Sequence, residues 1–174
     1  MDFSLIEEKL SSYGSGGHYL LEAYLLQLLK AEADSQNQTL EYFSSTNNHL
    51  FDAFAPNGIG DIDGPVLIEI VQRLSLDRFN KEIQKHARHI SNINTTLLLI
   101  SPSKKTDKER EFINQFLPRD LRVTLWGTEE IQLLMKKHSV VANELSEKLF
   151  SNRFRIAIEN NAEDWKEQRQ KLIN

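Results

Sequence analysis

Two acids carry the chemistry that this sequence advertises most clearly. Asp52 stands at the head of one apolar segment, and Glu69 interrupts a second, Val66-Leu67-Ile68-Glu69-Ile70-Val71, seventeen positions later. Between them lie Pro56-Asn57-Gly58 and Asp63-Gly64-Pro65, residues that favour turns. A hairpin turning near residues 60–61 sets Asp52 opposite Glu69, and directly paired residues share a face about 5 Å apart. Two carboxylates so close cost free energy to bury without a partner. They suit Mg²⁺ (or Mn²⁺), a cation that takes hard oxygen ligands, commonly one or two carboxylates plus substrate phosphate. In a shorter hairpin, Asp61 or Asp63 would replace Asp52 as the first acid; their plainer role is in the turn itself.

A cluster of cations follows the second acid. From residue 73 to residue 89 the chain carries Arg73, Arg78, Lys81, Lys85 and Arg88 against Asp77 and Glu82. His86 and His89 add to this local excess, in a chain whose net charge is −4. Contact with phosphates is the functional reading, and an ordinary solvated helix face is the plain one. Lys104, Lys105 and Lys108 form a weaker patch that reads as solvation. The five histidines show no metal-ligand spacing, which argues against Zn²⁺. Gly14-Ser15-Gly16-Gly17 precedes a helix but lacks the Lys-Ser/Thr that a phosphate-binding loop needs. Trp126 reads as core or rim packing.

Composition narrows the classes. With 174 residues the chain can bury a real core. It has no cysteine, so a disulfide scaffold and a thiolate zinc site are excluded, and a reducing cytoplasm is the expected setting. Met1-Asp2-Phe3-Ser4 does not begin a signal peptide, and no apolar run approaches the roughly 18 residues of a membrane span. The acidic balance argues against a general nucleic-acid coating protein, but leaves room for a nuclease whose metal site is itself acidic.

The elements that must position these residues follow from hydrophobic period. Residues 3–12 read as an amphipathic helix and 18–33 as a strong one, with Leu20, Leu21, Leu25, Leu28 and Leu29 at helical spacing. Strands are expected at 39–44, 50–55, 66–72, 95–100 and 121–126. Between them come helices at 77–89, with Phe79, Ile83, Ala87 and Ile90 inward, and at 105–116. Thr128 caps a helix running to about residue 137, and helices at 141–150 and 161–173 end the chain. The order predicts an α/β fold in three layers with a mixed central sheet.

This order and these acids together resemble the PD-(D/E)xK, or restriction-endonuclease-like, superfamily, over roughly residues 14–140. The resemblance rests on a helix, a three-strand meander, a helix and a further strand, with one acid on the second strand and an acid-x-lysine on the third. Asp52 and Glu69 fall on the two acids. Glu22 matches a glutamate of the first core helix that the Mrr-like branch carries, and Leu125-Trp126-Gly127-Thr128-Glu129-Glu130 looks like the closing strand and helix of that branch. The resemblance implies a Mg²⁺-dependent endonuclease acting on DNA, or on RNA, with Asp52, Glu69 and Glu22 at the metal. It further implies the effector part of a bacterial antiphage protein, working as a homo-oligomer or with other domains of a longer parent chain. On this reading residues 1–150 are the nuclease domain and 151–174 a helical extension or linker.

One position departs from the signature. The lysine belongs at position 71, where this chain has Val71. Arg73 returns to the face of Glu69, and Lys81 and Lys85, four apart on a helix, are candidates for a migrated lysine. The departure leaves a second reading open, a degenerate nuclease fold that only binds nucleic acid or a protein partner. A third is an unrelated α/β sensor or oligomerisation module.

Overall fold

The computed structural model describes residues 2–14, 17–42, 51–71, 74–92, 94–102, 111, 115 and 121–151, with backbone alone at 19 and 87–92. The expected helix at 161–173, most of that at 105–116, Arg73, Lys104, Lys105, Lys108 and the side chain of Arg88 lie outside what is described. The fold is mixed α/β. Its elements are α1 (Phe3–Ser11), α2 (Gly17–Ser35), β1 (Glu41–Tyr42), β2 (Ala53–Ala55), β3 (Gly58–Ile59), β4 (Ile62–Asp63), β5 (Val66–Ile70), α3 (Leu76–Asn92), β6 (Thr96–Ile100), β7 (Arg122–Trp126), α4 (Thr128–Lys137) and α5 (Ser139–Phe150). Two compact units emerge: Met1–Glu32 with Ile131–Asn174, and Ala33–Glu130.

Apolar helix faces hold the first unit together. Asp2 caps α1 by accepting the Ser4 N–H at 2.9 Å, and Phe3, Ile6 and Leu10 are buried along one stripe. Leu20, Leu21, Leu25, Leu28 and Leu29 of α2 are buried as their spacing predicts, each contributing about 1.5–3 kcal/mol on full burial. Polar ties join the ends: the Phe3 N–H donates to Gln132 Oε1 at 2.7 Å, and the Tyr13 hydroxyl donates to the Leu149 carbonyl at 2.6 Å. Near the end of α2, buried Glu32 accepts from Lys137 Nζ at 2.8 Å and meets His138 Nε2 at 2.5 Å.

In the second unit a hairpin feeds a sheet. Ala53 pairs with Ile68, Phe54 with Leu67 and Ala55 with Val66, all antiparallel. The same register runs on through Gly58 with Asp63 and Ile59 with Ile62, so the turn falls at residues 60–61. β6 then lies parallel to β5, and β7 parallel to β6, giving the order β1-β2-β5-β6-β7. Parallel neighbours need a crossover, and α3 supplies it between β5 and β6. β5 and β6 are buried at every residue, the pattern of strands covered on both faces. Leu67, Val71, Leu74, Phe79, Leu97, Leu99 and Leu125 form one core cluster, with Ile83 packed against it.

β2 is shorter than the sequence indicates, starting at Ala53 rather than before Phe51. α4 also starts differently. Its first residue is Thr128, so Gly127 takes the capping position and Glu130 reaches back to accept the Gly127 N–H at 2.9 Å.

Candidate metal centre

Glu69 lies on β5 between Leu67 and Val71, and period-2 alternation puts all three on one face. Leu67 and Val71 join the cluster that includes Phe79 of α3, so Glu69 shares the face that meets this helix. On α3, Phe79, Glu82, Ile83 and His86 follow the spacing of a single helical stripe. That stripe carries Glu82 and His86 inward with the apolar residues. The Glu82 side chain is 3% exposed and that of His86 fully buried, against 11% for Glu69.

The three side chains converge. One ligand atom from each of Glu69, Glu82 and His86 lies within 4.8 Å of the others, a group that could hold a metal ion. His86 Nε2 is 3.4 Å from Glu69 Oε2 and 3.4 Å from Glu82 Oε2. Those three atoms, with His86 Nδ1, are buried without a hydrogen-bond partner. The outer oxygens meet cations: Arg78 stands 2.9 Å from Glu82 Oε1, and Lys85 Nζ 3.5 Å from Glu69 Oε1. Lys85 also lies 3.8 Å from Glu82 Oε2. The Phe51 ring sits beside the imidazole, with centroids 6.3 Å apart.

Charge state follows from this packing. Burial alone would push the His86 imidazole down, but Glu69 and Glu82 outweigh it and hold His86 above its ordinary value. Burial likewise would raise Glu82, and His86, Lys85 and Arg78 together hold its carboxyl below the usual range. The arrangement is two carboxylates and an imidazole in a protein-walled niche, with an ammonium at its more exposed side.

The residues singled out in the sequence are distributed as follows. Glu69 and Lys85 come together. Lys81 instead pairs with Asp77 at 3.4 Å, both largely exposed. Arg78 is held by Glu82, so with Lys81 and Lys85 three of the five cations read as phosphate contacts are engaged by acids of their own helix. Asp61 and Asp63 are exposed on the hairpin, Asp63 pairing with Gly58. Glu22 is buried in the first unit, where His18 Nε2 is 2.8 Å from its Oε1.

Asp52 is close to its expected place, but not in it. The β2–β5 register continued by one residue would set it across from Glu69. The ladder ends at Ala53, however, and the Asp52 N–H donates to the Ile68 carbonyl at 2.9 Å, although Ile68 already faces Ala53. The Asp52 N–H thus bonds one residue short of Glu69. Asp52 Oδ2 accepts the Ile70 N–H at 2.8 Å.

Val71, at the position of the signature lysine, is 4% exposed, and its N–H donates to the Ile100 carbonyl at 2.8 Å. Glu82 and His86 were not singled out as ligands in the sequence. Their signal is the four-residue spacing on the helix that supplies Phe79 and Ile83, and it corrects the expectation that no histidine stands at ligand spacing. No family model matches this chain, and comparisons with curated proteins and with solved structures return no match either.

Proposed function

We propose that this chain is a divalent-cation-dependent phosphodiesterase acting on DNA, of the PD-(D/E)xK type, in which Lys85 stands in for the signature lysine. The observation that carries the reading is the approach of Lys85 Nζ to 3.5 Å from Glu69 Oε1. A lysine two residues after the acid on a strand would reach the same side; here the ammonium arrives from α3 while Val71 fills the strand position. The antiparallel run β1, β2, β5 followed by α3 and parallel β6 also supports it.

The residues present fit a cation, because Glu69 Oε2, Glu82 Oε2 and His86 Nε2 are buried, close and without hydrogen-bond partners. When bound, a divalent ion supplies Lewis-acid polarisation of the phosphate and acidifies the attacking water. Glu69 and Glu82 would hold it, and Asp52, tied to the Ile70 N–H, steadies the strand end beside Glu69. Lys85, at 37% side-chain exposure, is open enough to meet a phosphate oxygen and offset charge that grows in the transition state.

Plasmid nicking tests this. Wild type with Mg²⁺ or Mn²⁺ is expected to nick, and chelation to stop it. Lys85→Ala should lower the rate on the order of 100-fold or more, the size typical of losing a transition-state charge contact. Lys81→Ala, exposed and paired with Asp77, should cost far less. Absence of nicking with either ion, in folded protein, removes the catalytic reading. The buried Val71 favours a second one: a fold of this type, lacking its strand cation, that binds DNA without cutting it. In that case Lys85→Ala would only weaken binding and flatten its salt dependence.

A further inference from the structure

We propose that Glu69, Glu82 and His86 form a centre for one borderline divalent ion, Zn²⁺, bound by two carboxylates and an imidazole nitrogen. The inference deepens the phosphodiesterase reading and rests on it only for the use made of the ion. It replaces the pair of opposed acids, Asp52 and Glu69, with a donor set that joins β5 to α3.

Distances make the argument. His86 Nε2 is 3.4 Å from both inner carboxylate oxygens. That is longer than the roughly 2.7–3.2 Å of an N–H···O bond. It matches the separation of two ligands that share an ion, since donors about 2.1 Å from a tetrahedral Zn²⁺ lie about 3.4 Å apart. An imidazole nitrogen selects against Mg²⁺, which prefers oxygen and retains water, and towards ions that accept nitrogen.

The surroundings orient the donors. Each carboxylate has its outer oxygen held by a cation, Arg78 on Glu82 Oε1 and Lys85 on Glu69 Oε1, and its inner oxygen turned towards His86. Outer contacts of this kind fix ligand geometry. The ring is fully buried beside Phe51, so packing sets its plane. Two carboxylates and an imidazole buried with four atoms lacking hydrogen bonds would be costly in a finished core. A shared cation satisfies three of the four at once.

The test uses the chain stripped of metal by a chelator and then titrated calorimetrically with Zn²⁺, Mn²⁺ and Mg²⁺ in turn. One Zn²⁺ per chain is expected, bound at least about 100-fold more tightly than Mg²⁺. His86→Ala and Glu82→Gln should each weaken Zn²⁺ by about 10-fold or more, and His86→Ala should weaken Mg²⁺ far less than Zn²⁺. Co²⁺ should show the visible absorption of a low-coordinate site, lost in both variants. Equal affinity for Zn²⁺ and Mg²⁺, or Zn²⁺ binding that survives both substitutions, overturns the proposal. If circular dichroism shows both variants unfolded, the wild-type Co²⁺ spectrum and ion preference decide alone, and a spectrum of hexaaqua Co²⁺ counts against it. Nicking measured in parallel separates the two readings. Stoichiometric Zn²⁺ without cleavage keeps the centre and removes the phosphodiesterase. Mg²⁺-driven cleavage that is intact in His86→Ala does the reverse.

Discussion

Val71 occupies the strand position two residues after Glu69. It lies on the face of Glu69 and belongs to a core cluster with Leu74, Phe79, Leu97 and Leu99. A lysine there would drive an ammonium into that cluster. Val71→Lys is therefore expected to destabilise the fold by on the order of 3 kcal/mol or more, the cost of a poorly compensated buried charge, rather than to rescue cleavage. Urea denaturation reads the loss; a variant as stable as wild type would mean that the new ammonium reaches Glu69. The burial of Glu69 was legible in the sequence because it stands alone among the apolar residues of Val66–Val71. Glu82 and His86 were not, because charged residues on an amphipathic helix ordinarily face water. Only their register with Phe79 and Ile83 points inward, and the depth of that stripe depends on the sheet it meets.

At the scale of elements, the hairpin was the most legible part. Turn residues on both flanks and one register fix the reversal at residues 60–61. Gly58 is the position that makes it possible. Its φ is 100°, and a Cβ there would collide with the Ile62 carbonyl oxygen. Gly58→Ala should cost more than about 1 kcal/mol, through strain and loss of the β3–β4 pairing, and thermal melting checks it. An unchanged midpoint would show that the hairpin tip contributes nothing to the fold. That the ladder stops at Ala53 was not legible, since alternation sets the face of a residue but not the point where a ladder ends. The parallel β5, α3, β6 unit was readable from strand and helix alternation, because only a crossover joins parallel neighbours.

Across the whole molecule, acid should act through a carboxylate far from the candidate centre in sequence. Burial alone would raise Glu32, but His138 and Lys137 outweigh it and hold the carboxyl below its ordinary value. A carboxyl depressed by folding stabilises above its unfolded pKa of about 4.3, and that contribution is lost as pH falls through the lower folded value. Glu32→Gln is thus expected to cost about 2 kcal/mol at neutral pH, the scale of hydrogen bonds to a charged group, and the gap to wild type should narrow below about pH 4. Denaturant midpoints measured from pH 3 to 7 (roughly the carboxylate range) give the comparison, and a gap that stays constant would show that charge on Glu32 is not what stabilises. Among the described residues no helix is long and apolar enough to cross a membrane. The seam between β5 and α3 has a mechanical consequence. Arg78, Glu82, Lys85 and His86 travel together on one rigid helix, while Glu69 alone belongs to the strand. Any tilt of α3 parts Glu69 from the other two donors in a single motion. Occupancy of the niche and the local opening of α3 are then one equilibrium seen from two sides. Slowed amide exchange along α3 would register a ligand in the niche before any substrate had been identified.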